Sequence, residues 1–220
     1  MNISTVSVTG PDAFEFLQGQ LSNDLKRLET ETEVFAAWCN PKGRVIWFGT
    51  VRSMEAGFGL SVPAKTAESI VQRLTMFRFR SKVEFNVVDD GVTVDPAELI
   101  RGGYPFIGPE QSEQFTPHML NLDLLDAISF DKGCYTGQEI VARTHYKGAT
   151  KRRTLRFESD KPVSAGDKVS LDGRDIGEVL NASGFDLLAV IPVKNADEQL
   201  SVEDSSLKLI ALPYLDENPS

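Results

Sequence analysis

The sequence predicts an α+β chain: an N-terminal antiparallel sheet with helices on one face, followed by a small C-terminal β-barrel. Two observations carry this. From Ile3 to Val88 the pattern runs strand, helix, hairpin, strand, helix, strand, an order that packs helices against one antiparallel sheet. From Thr154 onward it changes to short apolar runs broken by glycine-rich turns at close intervals, as in a small barrel. The expected division is therefore 1–150 and 151–220.

Each element has its own reason. Ile3 to Val8 alternates apolar and polar residues like a half-buried strand, and Thr9-Gly10-Pro11 is a helix entrance with proline in the first turn. That helix carries Phe14, Phe16, Leu17 and Leu21 and is expected to end near Asn23, with its glutamines on the outer face. Glu33 to Cys39 and Arg44 to Val51 read as strands joined by the turn formers Asn40-Pro-Lys-Gly43. Cys39, Trp38 and Trp47 read as core residues. Gly57 to Val62 is a further strand, Pro63 opens a helix to about Phe77, and Val83 to Val88 is the next strand. Pro117 and the asparagines after it point to loop and short helix. The second region contributes strands at Thr154 to Glu158, Lys168 to Leu171, Arg174 to Ala182, Phe185 to Ile191 and Lys208 to Ala211, and a frayed tail from Asp216 to Ser220.

At 220 residues the chain can bury a substantial core. The N-terminus lacks the basic and apolar regions of a signal peptide and no apolar run is long enough to span a bilayer, so a cytoplasmic location is expected, with no membrane partner. Two cysteines without C-x-x-C spacing and two histidines argue against a disulfide framework and against a metal site. A net charge of -9 opposes broad phosphate-backbone binding, so no direct nucleic-acid partner is expected. One local exception is the basic run Arg143, Lys147, Lys151, Arg152, Arg153 and Arg156, either a solvated face or a landing site for anionic groups.

The stretch Asp131-Lys-Gly-Cys-Tyr-Thr-Gly-Gln-Glu139 holds the densest chemistry. It contains Thr136-x-x-Glu139, the capping-box pattern, and Ile140 to Lys147 continues at helical spacing with Gly148 placed as a C-terminal cap. Cys134 is thus expected just before a helix N-terminus, where backbone N–H groups and the positive end of the dipole favour the thiolate over its usual pKa of about 8.5. His118 lies 16 positions before Cys134, and a Cys–His pair between them requires that the fold bring the two together.

Lys132-Gly-Cys-Tyr-Thr-Gly-Gln-Glu139, continued by Val141-Ala-Arg143 and Gly148-Ala-x-Lys-Arg152, resembles the signature of the YgfZ family of folate-binding proteins. Phe16-Leu-Gln-Gly-Gln-Leu-Ser-Asn-Asp24, Ala36-Ala-Trp-Cys-Asn-Pro-Lys-Gly-Arg44, Arg78-Phe-Arg-Ser-Lys-Val-Glu84 and Leu212-Pro-Tyr214 are similar to further segments of it. The family is related to the T-protein, the aminomethyltransferase of glycine cleavage, which lacks the cysteine of this motif. The resemblance implies a shortened T-protein-like folate-binding domain over 1–150 and a barrel over 151–220. It implies an accessory role in iron–sulfur cluster assembly or repair, and through it in tRNA modification, with Cys134 as the functional thiol. Tetrahydrofolate or a derivative is the implied cofactor. Lys132 and Arg143 would supply positive charge beside the thiol or a carboxylate, with Asn121 and Arg101 as further folate contacts. Gly133 and Gly137 would allow close backbone approach, Tyr135 and Gln138 would touch ligand or partner, and Thr136 and Glu139 would cap the helix.

The chain departs from that pattern between Asp89 and Gly103. Full-length relatives place much of a second subdomain there, so the resemblance implies a folate pocket that is open, or closed by a second copy. Folate, iron–sulfur client or assembly proteins and a homodimer are the implied partners. Two other readings stand beside this one. A folate-dependent methyl or aminomethyl transferase needs an acid beside the folate nitrogens, for which Asp24 and Asp95 are available. A protein-binding scaffold that has lost the folate site needs neither.

Overall fold

The computed structural model describes residues 1–148 and 150–216. Ala149 of the motif continuation and residues 217–220 of the expected frayed tail lie outside the described residues. The chain divides into two compact units whose segments interleave. The first is Met1–Thr93, Ile107–Pro117 and Leu122–Tyr146; the second is Val94–Phe106, His118–Asn121 and Lys147–Ser220.

The first unit is a five-stranded antiparallel sheet. Its strands β1 (Asn2–Thr9), β2 (Glu33–Cys39), β3 (Val45–Met54), β4 (Gly57–Pro63) and β5 (Glu84–Thr93) lie in the order β2-β3-β4-β1-β5. Helices α1 (Ala13–Gln20) and α2 (Ala67–Phe77) bury Phe16, Leu17, Ile70 and Leu74 against Val6, Val8, Trp38, Trp47 and Leu60 of the sheet. The expected α+β class holds.

Two boundaries differ from expectation for physical reasons. α1 stops at Gln20 rather than near Asn23, because Leu21 turns extended and forms an isolated bridge with Trp38. β5 runs past Val88 to Thr93, although Asp89-Asp90-Gly91 has turn composition. Asp90 accepts hydrogen bonds from Thr5 and Arg52, and pairing with β1 resumes at Ile3 beyond a bulge.

The second unit is a closed six-stranded barrel preceded by α3 (Pro96–Gly102). Strands β6 (Arg152–Ser159), β7 (Lys168–Leu171), β8 (Arg174–Ser183), β9 (Asp186–Pro192), β10 (Leu200–Val202) and β11 (Ser205–Ile210) surround Phe157, Val169, Val179, Leu187 and Val202. β10, three residues long, gives too short a pattern to be read from sequence. Within this unit Asn121 is a hub: its amide donates to Thr154 O at 2.8 Å and to Tyr214 Oη at 3.0 Å, and its Oδ1 accepts from Arg153. No helix among the described residues is long and apolar enough to cross a membrane.

Candidate functional site

The cysteine motif lies in the first unit as an irregular loop leading into α4 (Gln138–Lys147), and it is strung along the C-terminal end of α1. That end presents carbonyls with no partner inside the helix. The motif supplies the donors. Lys132 Nζ donates to Gln18 O, Leu21 O and Asn23 O, each at 2.8 Å. Ser129 N donates to Ser22 O and Thr136 N to Gly19 O. Thr136 Oγ1 and Trp38 Nε1 both donate to Gln20 Oε1. A buried ammonium on helix-terminal carbonyls is a charge-matched cap.

The clasp gives several motif residues partners within the unit. Lys132 is 8% exposed and directs three hydrogen bonds at backbone carbonyls. Burial depresses its pKa to about 8, opposed by the charge of Asp24. Tyr135 is buried with its ring 5.5 Å from Lys132 Nζ, and burial raises its phenol well above the usual range. Gly137 has φ +84, and a Cβ there would sit 2.6 Å from Asn40 O and 3.1 Å from Cys39 Cβ, so the glycine is what lets the hairpin tip and the motif meet.

The expected capping box is not formed. α4 begins at Gln138, Thr136 Oγ1 bonds Gln20, and Glu139 is the second residue of the helix. Glu139 still opposes the positive end of the helix dipole from the first turn. Cys134 stands four positions before Gln138, in the loop that leads into α4, and lines one cavity with Gln138 and Glu139 of its first turn.

Two residues of the loop take no part in the clasp. Cys134 is exposed. Gly133 is exposed, and nothing lies within 4 Å of where its Cβ would be. Beside them opens a cavity of 560 Å³, walled by Pro41 of the hairpin, by Cys134 to Glu139, and by Ala142 of α4. Arg143, one turn beyond Glu139, is exposed, and its guanidinium makes no hydrogen bond or ion pair among the described residues. The other cysteine, Cys39, is fully buried, and burial pushes its thiol up to about 12.

The remaining candidates have these surroundings. Asn121 and Arg101 belong to the second unit, where Asn121 is the hub described above and Arg101 pairs with Asp186 at 3.0 Å. His118 is buried in that unit. Asp24 accepts from Lys26 N and from Gln18 Nε2; burial works against its ionisation, but those bonds and nearby Lys132 hold its carboxyl below the usual value. Asp95 caps α3 through Ala97 N. No group of three or more metal-ligating side chains occurs among the described residues.

Sequence reasoning missed Gln18 and Gln20. Periodicity puts both on an outward polar face, whereas Gln18 bonds Asp24 and Leu25 N, and Gln20 joins Trp38 to Thr136. The available signal was the polar run Gln18-Gly-Gln20 directly before the helix end, where exposed carbonyls need partners.

No protein-family model matches the chain. A tRNA-modifying protein YgfZ from Serratia proteamaculans is 28% identical over 95% of this chain and 89% of its own length. Their alignment spans 296 positions, more than the 220 residues here, so that relative carries segments without a counterpart in this chain. The YgfZ of Pectobacterium atrosepticum is 40% identical over 60% of this chain and 43% of its own. Among solved structures, a glycine cleavage system aminomethyltransferase T from Bartonella henselae matches 96% of this chain and 84% of its own with a TM-score of 0.72 at 13% identity, a likeness of fold. In sequence, then, the chain resembles the YgfZ family as a shortened form over nearly its whole length, and it does so on the fold of the glycine cleavage T-protein.

Proposed function

We propose that this protein binds a reduced folate and supports tRNA modification through iron–sulfur enzymes, with Cys134 as its working thiol. The observation that carries the reading is the division of labour inside the motif. Lys132, Tyr135, Thr136 and Gly137 are engaged in packing and hydrogen bonds, whereas Gly133 and Cys134 are exposed outside the clasp and Cys134 lines a cavity. An accessible cysteine sulfur serves as nucleophile or as a soft ligand for iron. The bare backbone at Gly133 leaves room for a partner to approach it.

The cavity fits a folate in size and character, since ligand sites of this class run to several hundred Å³ with apolar walls and few polar groups. Pro41 and Ala142 supply apolar wall and Gln138 and Glu139 the polar groups for a pterin edge; Arg143, the next residue along α4 from Ala142, is an exposed cation for the glutamate carboxylates. Lys132, Asn121 and Arg101 already hold hydrogen-bond or ion-pair partners, which favours Arg143 and the start of α4 among the implied folate contacts. The transferase reading is weakened because Asp24 and Asp95 both serve as caps. The shortened middle leaves a place for a second copy, which sedimentation with and without folate would reveal.

The test has two parts. Calorimetry with tetrahydrofolate should give binding to the wild type and to Cys134→Ala, and weaker binding to Arg143→Ser. In a bacterium lacking its own relative, expression should restore tRNA nucleosides read by mass spectrometry, and Cys134→Ala should not. Full restoration by Cys134→Ala removes the thiol from the mechanism; no folate binding by any form leaves the scaffold reading.

A further inference from the structure

The loop that joins α2 to β5, Arg78-Phe-Arg-Ser-Lys82, takes no part in the clasp or in the Cys134 cavity. Its turn is closed by Ser81 N on Arg78 O and places Phe79 at φ +44. A bulky residue in that left-handed region is strained, and such strain persists where something else gains from it. The Phe79 ring is 87% exposed, and Met76 at the end of α2 is 66% exposed. Arg78, Arg80 and Lys82 flank the ring, all exposed, and none of their side chains makes a hydrogen bond or ion pair among the described residues. On a chain of net charge -9 these are three unneutralised cations within five positions. Of the acids beside the loop, Asp12 accepts from Lys82 N at 2.7 Å and Glu84 lines the adjoining cavity. Beside the ring opens a cavity of 530 Å³ that Gly10, Pro11, Arg78, Phe79, Lys82 and Glu84 help to line.

We propose that this loop binds unpaired RNA, with Phe79 stacking on a base while Arg78, Arg80 and Lys82 take the neighbouring phosphates. A flat ring held outward between cations is the arrangement by which single strands are gripped: the ring takes any base face, and the cations follow the backbone. The overall negative charge restricts the contact to this patch and disfavours a duplex lying across the surface. The choice of RNA over another polyanion rests on the tRNA reading above; the loop itself is separate from Cys134.

Fluorescence anisotropy of the full chain with a short labelled single-stranded RNA tests this across a salt series. The same RNA as a duplex and a labelled glutamate-rich peptide serve as competitors in kind. Single-stranded RNA should bind, more weakly as salt rises, and better than the duplex. Phe79→Gly relieves the positive φ and removes the ring, so it should melt no lower than wild type and bind about tenfold more weakly. Arg80→Ser should weaken binding and flatten the salt slope by about one phosphate contact. Cys134→Ala should bind RNA as wild type does, so a failure here is distinguishable from a failure of the thiol reading. Absence of RNA binding at low salt, unchanged affinity in Phe79→Gly, or binding of the peptide in place of RNA overturns the proposal.

Discussion

Lys132, expected to bring positive charge to the site, is bound into the frame of the first unit. Its ammonium sits on three carbonyls, so Lys132→Met leaves three acceptors without their donor and should lower stability by roughly 2–4 kcal/mol near neutral pH. The folded pKa of about 8 lies below the 10.5 of a free lysine, so between those values the unfolded chain binds more protons. Stability from this group therefore grows as pH rises from about 8 to about 10.5 and is lost as pH falls through 8. Denaturant melts of wild type and Lys132→Met across that window should diverge in favour of wild type; a constant gap would refute the assignment. The two thiols differ as sharply. Ellman's reagent should modify Cys134 quickly in the folded protein and reach Cys39 only in denaturant, since Cys39 is buried and its thiol sits near 12. Tyr135 supplies a third contrast: its hydroxyl is buried with no hydrogen-bond partner among the described residues. Tyr135→Phe should melt at or above wild type, because an unsatisfied buried hydroxyl costs about 1–3 kcal/mol.

At the scale of elements, α4 is anchored by close backbone approach rather than by a side-chain cap. Gly137 lies against the Asn40-Pro-Lys-Gly43 turn, and Gly43, with φ +67, would place a Cβ 2.8 Å from Ile140 Cβ. Gly137→Ala meets both a positive φ and a carbonyl at 2.6 Å, so it should cost at least about 2 kcal/mol in thermal or chemical melts. Gly133→Ala meets nothing and should melt like wild type while reducing folate binding or complementation. Equal melts for the two variants would mean that the clasp does not position α4. The contrast also shows what was legible in the sequence. Helical spacing after Glu139, the proline–glycine hairpin and the alternation of β1 are local patterns, and each was readable. The true start of α4, the early stop of α1 and the full length of β5 depend on Gln20, Trp38 and Thr5, partners distant in the chain that local spacing does not name.

For the whole molecule, the same distinction explains why the barrel was legible and its full extent was not. Short strands and glycine turns after Thr154 announce a barrel, but its unit also recruits 94–106 and 118–121. Those segments bring polar partners that the strands need. Asn181 exchanges two hydrogen bonds with Phe106, through its Oδ1 at 3.1 Å and its Nδ2 at 2.9 Å, and is 1% exposed. Thr154 O and Arg153 are met by Asn121, and Asp186 takes both Arg101 and Arg156. A fragment of residues 151–220 keeps every strand from β6 onward yet loses Asn121, Phe106 and Arg101, leaving a buried asparagine and carbonyl without partners. Each orphaned buried group costs about 1–3 kcal/mol, which is a large part of the stability of a barrel this small. The fragment should therefore melt far below the barrel transition of the whole chain, or stay unfolded by circular dichroism. In the full chain, Asn121→Ala should reproduce part of that loss. A fragment as stable as the intact barrel would show that the interleaved segments decorate the unit, and that a division at residue 150 describes its folding.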